Sequence, residues 1–480
     1  MKATALSGAS TILNTLIGFI KTKALALILG TAGVGVLGQL NGFFLLLANF
    51  TSLGNNVGVT RYVASYAADG DKASITRLLS SVRLLVGGFV ILCAVVGMLF
   101  SRTLAQWLLN DSSYSVYIII ILAGLPFTVL YNFYRSFFTG LLEIRYFVLA
   151  GALSAAIGLL VLLPLVYVAG LNGAIWHITI LGVVGFATAA LFLQRIIRKH
   201  QLAKPSLGHL DRAITGQIIT FGAASLTAAT ALYGANLWVR TMIFNHFGQE
   251  QAGIYSAMLQ MSSLCIMLVL DSISTYCYPR LSGIQNPKEM VAELNQTMRL
   301  TLILITPMIV LFIMFKDLII ILSLSRQFLL ASPLIGYQLL GDAFKAVGWS
   351  IGVSLLPMKR LKAFALIDVT WSALFVTISA ITVPRWGLLG ALVAYMSGFI
   401  FHVLANYFYA RRSINYSLWP SNRMLLALSM AIIIYMTTLF RLTPGHVLLC
   451  VMLMAYWSTH AIKGGELQLL LNAVKGKFRS

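Results

Sequence analysis

Residues Thr4–Leu29 read TALSGASTILNTLIGFIKTKALALIL, a mostly apolar run long enough to cross a membrane, yet Lys21 and Lys23 sit well inside it. About 20 apolar residues span a bilayer, and a cation near its centre costs roughly 3 kcal/mol or more. Such a residue is kept where it faces a polar interior or snorkels to an interface. Ser7, Thr11, Asn14, Gly18 and Lys21 follow one another at spacings of 4, 3, 4 and 3, so they share one helical face. The remaining faces are mostly Leu, Ile, Phe and Ala. The stripe predicts a helix with a wet, cationic side. Lys23 lies roughly 200° around the helix from Lys21 and cannot share that face; it reads as a snorkelling residue or as part of a second contact.

Working outward, the 480 residues are 59% hydrophobic and only 10% charged, far too apolar for a soluble chain of this size. The long uninterrupted spans lack the alternation of a transmembrane barrel, so the fold class is an all-α polytopic membrane protein. A net charge of +21 ordinarily suggests nucleic acid. Here the basic residues are scattered between apolar spans, so topology accounts for them and no nucleic-acid partner is implied. The first span is too long, and too interrupted by lysine, for a cleavable signal. Cys93, Cys265, Cys277 and Cys450 show no paired spacing and the seven histidines form no ligand motif, so no disulfide or metal framework is expected. Walker A, GxSxG and HExxH motifs are missing, and no enzyme activity or cofactor is predicted.

Apolar windows fall at about 4–29, 36–60, 79–101, 114–138, 146–169, 172–195, 214–245, 251–278, 297–323, 332–356, 363–383, 387–410, 424–440 and 445–462. These are fourteen candidate spans, the last two short. With alternate loops and both termini taken as one set, that set holds 25 of the 34 basic residues; the other loops hold Arg102, Lys316, Arg326, Arg385 and Arg441. The positive-inside rule then predicts cytoplasmic N- and C-termini. Four cations remain inside spans: Lys21, Lys23, Arg240 and Lys345.

The basic connection after the sixth span reads as a linker, 197–213, between six-helix halves at 1–196 and 214–412, with two further spans and a tail at 413–480. A repeat at an offset of 217 residues supports this division: Gly124 with Gly341, Phe147 with Phe364, Leu149 with Leu366, and Gly170 and Gly173-Ala174 with Gly387 and Gly390-Ala391. With small gaps, Gly30-Thr-Ala-Gly33-Val34 matches Gly248-Gln-Glu-Gln-Ala-Gly253-Ile254. An even number of helices per repeat relates the halves by a pseudo-two-fold along the membrane normal, a design in which substrate sits between halves that rock.

Ser225, Ala229, Asn236 and Arg240 share a face of the seventh span, the repeat counterpart of the first. Arg240 reads as a second intramembrane cation in a polar interior or as a snorkelling residue. Asp342 and Lys345 are neighbours at i and i+3 in the tenth span, where a pair costs less than either charge alone. They read as a structural ion pair or as a pair that a proton or an anionic substrate breaks. Asp271 and Asp368 are the other membrane acids, open to either reading. The acids of the first half (Asp69, Asp71, Asp111 and Glu143) all lie near loops, which leaves its interior cationic and suited to an anion. Arg61, Arg83 and Arg299, near cytoplasmic helix ends, would receive a phosphate headgroup or anchor lipid.

Several segments resemble bacterial flippases of polyprenyl-pyrophosphate-linked oligosaccharides. They are Leu29-Gly-Thr-Ala-Gly-Val-Gly35, Gly58-Val-Thr-Arg61-Tyr62-Val-Ala-Ser-Tyr66, Ala252-Gly-Ile-Tyr255, Tyr278-Pro279-Arg-Leu-Ser282 and Gln338-Leu-Leu-Gly-Asp342-Ala-Phe-Lys345. The resemblance covers about 4–412 and places the chain in the multidrug/oligosaccharidyl-lipid/polysaccharide exporter superfamily, beside the multidrug/toxin exporters and the lipid II flippase. It implies two pseudo-symmetric six-helix lobes in a V shape with a central cationic cavity. It implies an undecaprenyl-pyrophosphate-linked oligosaccharide, of O-antigen or enterobacterial common antigen type, moving to the periplasmic leaflet of the bacterial inner membrane. It further implies that Lys21 and Arg240 meet pyrophosphate, that H+ or Na+ coupling is open to the membrane acids, and that a polymerase and a chain-length regulator are partners beside the membrane lipids. A cation-coupled drug exporter, a lipid II flippase and a non-transport scaffold in polysaccharide assembly are the alternatives.

Overall fold

The computed structural model describes residues 2–53, 55–203, 212–355, 357–358 and 360–461, so 204–211 of the expected linker and the 462–480 tail lie outside the described residues. Among the described residues there is no strand. The helices are α1 (Lys2–Thr51), α2 (Asn55–Ala68), α3 (Lys72–Leu99), α4 (Ser101–Leu109), α5 (Ser115–Gly140), α6 (Ile144–Lys199) and α7 (Arg212–Gly283). They continue with α8 (Pro287–Met314), α9 (Lys316–Ser323), α10 (Ser332–Gly352), α11 (Leu361–Trp386), α12 (Leu388–Ile414), α13 (Pro420–Thr438) and α14 (Pro444–Ala461).

Nine helices among the described residues are long and apolar enough to cross a membrane, and the chain is a multi-pass membrane protein. Helices α1, α6 and α7 run for 50, 56 and 72 residues. At 1.5 Å per residue even the shortest would measure roughly 75 Å, over twice the hydrocarbon thickness. Each therefore has to turn, and each does so at a glycine with positive φ: Gly30, Gly170 and Gly248. Two expected spans thus share each of these helices. The second expected span ends early, at Thr51, and the chain restarts as α2.

The turns also make the repeat visible in the backbone. Gly170 has φ 54 and ψ −126, and Gly387, 217 residues later, has φ 58 and ψ −135. Three residues on, a Cβ at Gly173 would stand 2.0 Å from the Leu165 carbonyl oxygen, and one at Gly390 would stand 2.3 Å from that of Thr382. In both places the departing helix passes so close to the arriving one that no side chain fits.

The chain forms two compact units: Met1–Gly253 with Ser323–Gln327, and Ile254–Leu322 with Phe328–Ser480. In the first, α5 packs against α6, α3, α2 and α1, around fully buried Phe133, Tyr134, Phe137 and Phe138. In the second, α10 packs against α12, α8 and α13, and α12 also against α11. Packing thus divides the chain within α7, at Gly253, whereas the halves at 1–196 and 214–412 follow the sequence repeat. A polar seam holds the seventh span in the first unit. Arg240 Nη1 donates to the Gly38 carbonyl at 2.9 Å, and buried Gln39 Nε2 donates to Thr241 Oγ1 and to the Leu108 carbonyl.

Candidate functional site

The charged residues inside helices fall into separate settings. In the first unit, Lys21 is half-buried on α1 and acts electrostatically on the buried His177 ring of α6. That ring is held by a 3.0 Å hydrogen bond between Nε2 and the Gly158 carbonyl. His177 carried no motif in the sequence; its nearness to Lys21 comes from the packing of α1 on α6. The side chain of Asn14, in the polar stripe below Lys21, lies outside the described residues. Lys23 is half-buried one residue beyond buried Thr22.

Arg240 is half-buried and docks against α1 after its turn, where Gly38 supplies a carbonyl and Gly42 leaves room for the side chain's Cδ. Asn236, one turn earlier, donates to its own helix at Leu232, at 2.8 Å. The two cations of the stripes thus belong to one compact unit but rest on different supports, α6 for Lys21 and the second segment of α1 for Arg240.

In the second unit Asp342 is 1% exposed. Its carboxylate accepts hydrogen bonds from Ser262 Oγ and, at 2.8 Å, from Tyr395 OH. Gln338 Nε2 reaches the same serine at 3.3 Å, while its Oε1 is buried without a donor. The ion pair expected from the Asp342–Lys345 spacing does not form among the described residues. Lys345 Nζ lies 5.8 Å from the centroid of the Phe399 ring, and hydroxyl donors serve the carboxylate instead. The i,i+3 spacing permits contact but does not fix rotamers, and hydroxyls from α7 and α12 occupy the acceptor sites.

Around this carboxylate stands an aromatic wall: Trp371 is 4.7 Å from Phe399 between ring centroids, and Phe399 is 4.7 Å from Tyr395. At its edge His402 Nε2 meets Asp368 Oδ1 at 3.4 Å. Asp342 and Asp368 are thereby in the same unit, each with a partner that sequence spacing did not indicate. Asp271 is exposed on α7.

The three arginines expected to receive headgroups differ. Arg61 is exposed on α2, and Arg83 is half-buried beside Tyr134. Arg299 is 4% exposed, and its Nη2 donates to the carbonyls of His460 and Ala461 at 3.0 and 2.9 Å. Its guanidinium serves the C-terminal end of α14, where helix carbonyls and the helix dipole favour a cation. Glu143, just before α6, is buried and bonded to Lys199 and His200 at the far end of that helix, at 2.6 and 2.7 Å. Burial pushes its carboxyl up, but those two hydrogen bonds and their charges outweigh it and hold Glu143 below its ordinary value. Among the described residues no three His, Cys, Asp or Glu side chains converge to hold a metal.

The family described as "Polysaccharide biosynthesis protein" matches residues 1–285. The lipid III flippase of Escherichia coli (strain K12) is 24% identical over 404 residues, covering 83% of this chain and 95% of its own. The solved structure of the lipid II flippase MurJ, in an inward closed conformation, aligns with a TM-score of 0.71 at 14% identity, over 94% of this chain and 97% of its own. An inward-facing multidrug resistance MATE family transporter of the MOP superfamily aligns with a TM-score of 0.68 at 15% identity, over 84% and 94%. At these identities the two structures establish a shared fold.

Proposed function

This chain belongs to the polysaccharide biosynthesis protein family, and from that premise we propose that it moves an undecaprenyl-pyrophosphate-linked oligosaccharide from the cytoplasmic to the periplasmic leaflet by alternating access. The observation that carries this reading is the match to a lipid III flippase along 95% of that relative's length. The glycan is a unit for O-antigen, enterobacterial common antigen or a related surface polysaccharide. The membrane is the bacterial inner membrane, with both termini cytoplasmic and the two six-helix repeats as the transporting halves.

In this mechanism Lys21 and Arg240 meet the pyrophosphate, each as a cation held in an apolar span where an anion's charge is weakly screened. The interior of the first unit favours an anion because its acids are elsewhere: Asp71 caps α3 and Glu143 is taken by Lys199 and His200. Asp342 and the Asp368–His402 pair are the groups through which H+ or Na+ movement would couple. The sugar passes without covalent change, and the chain's work is binding and reorientation.

Purified full-length chain in vesicles loaded with a labelled lipid-linked oligosaccharide tests the reading. An added lectin scores glycan that reaches the outer leaflet. Transfer faster than in protein-free vesicles, and slowed at least about tenfold by Lys21→Ala or Arg240→Ala, is expected if each cation supplies one charge-assisted contact. Transfer no faster than in protein-free vesicles would refute transport, and parental rates in both variants would refute the role of the cations.

A further inference from the structure

Arg135, on α5, differs in setting from three arginines of α6. Arg145, Arg195 and Arg198 are exposed to solvent. Arg135 is half-buried, and its Nε is fully buried with no acceptor. Its guanidinium carbon lies 4.1 Å from the centroid of the Phe147 ring and 5.4 Å from that of Tyr131. Two rings thus lie against the cation, and its buried Nε–H is left without an acceptor. Glu143, the nearby acid at the start of α6, is already bonded to Lys199 and His200.

A guanidinium is always charged, and an N–H of it that is buried without an acceptor is costly. The usual remedy is a carboxylate, and among the described residues none bonds to this group. The edge carrying Nη2 faces Gly151, where the missing side chain leaves space; a Cβ there would stand 3.6 Å from Nη2. Arg135 is five residues from the end of α5 at Gly140, roughly 7.5 Å along the axis.

We infer that Arg135, held beside the Phe147 and Tyr131 rings, is a binding site for a lipid phosphate. A planar fork of donors matches two oxygens of one phosphate, which the exposed arginines offer without a fixed orientation. The phosphate is supplied either by the diphosphate of a polyprenyl carrier or by the phosphodiester of a bulk lipid. The inference concerns binding and stands apart from the transport reading.

The test measures binding of undecaprenyl diphosphate, phosphatidylglycerol and inorganic diphosphate to the full-length chain in maltoside micelles, which contain no phosphate. Arg135→Gln is expected to weaken binding of at least one lipid about tenfold or more, the loss of charge-assisted hydrogen bonds. An equal loss for both lipids assigns the site to lipid phosphate in general, and a loss for undecaprenyl diphosphate alone assigns it to the carrier. A matching loss for inorganic diphosphate assigns it to the phosphate group without its chain. Unchanged binding of every probe, or none by the parent chain, overturns the inference. Should Arg135→Gln fail to fold, Arg135→Lys decides: it keeps the charge but not the fork, so several-fold weaker binding is expected and parental binding overturns the inference.

Discussion

Replacing Arg299 separates a helix cap from a headgroup receiver. In Arg299→Met the volume is kept while the guanidinium is lost. Two hydrogen bonds from a charged donor go with it, to His460 and Ala461 at 3.0 and 2.9 Å. At ~1.5 kcal/mol each, with a few tenths more from the helix dipole, the docking of α14 should weaken by about 3 kcal/mol. That corresponds to roughly a hundredfold rise in the population of undocked α14. Cys450 reports it, because this thiol lies on α14 and is 2% exposed. In a chain retaining only Cys450, its labelling by a thiol reagent should accelerate by about that factor when opening is rapid and reversible. Arg299→Lys should fall between parent and Met, since a charge remains without the reach of the fork. Labelling at the parental rate together with weakened lipid binding would refute the cap and restore the headgroup role.

Other expectations follow from single contacts. Gly173→Ala and Gly390→Ala should each block accumulation of folded protein, because the new Cβ would meet a backbone carbonyl at 2.0 and 2.3 Å, whereas Gly88→Ala, with open space around it, should accumulate normally; expression and thermal unfolding in detergent decide. Tyr395→Phe removes a donor to buried Asp342 and should destabilise by ~2 kcal/mol, while a cycle with Asp342→Asn should show coupling of about 1 kcal/mol, additive effects counting against the contact. Glu143 is held below its ordinary carboxyl value, so its stabilising contribution is present above ~4.3 and is lost as pH falls through the folded value. A stability profile from pH 6 (roughly) downward should therefore be flatter in Glu143→Gln than in the parent; parallel profiles would count against the Lys199 and His200 contacts.

Patterns that depend on near neighbours were legible in the chain itself. Hydropathy, with Gly, Pro and charge as breaks, placed most of the long helices but not the break after Thr51 or the short α4 and α9, since every backbone group in lipid has to be bonded within its own segment. The turns at Gly170 and Gly387 were visible as a matched pair, because only glycine tolerates that backbone and that closeness. The stripe ending at Lys21 marked one face of α1 for the same reason of helical period. What only the tertiary structure decided is which side chain answers which charge. Asp342 takes its hydrogen bonds from Ser262 and Tyr395, 80 and 53 residues away, and not from Lys345 three residues on. Arg299, indistinguishable in sequence from Arg61 as a basic residue near a span end, is buried against the end of α14 while Arg61 is exposed. Arg135 reads as one more loop-proximal cation until Phe147 and Tyr131 are seen to lie against it. Hydropathy is a property of each segment, but the cost of a buried charge is set by whatever the other helices bring to it.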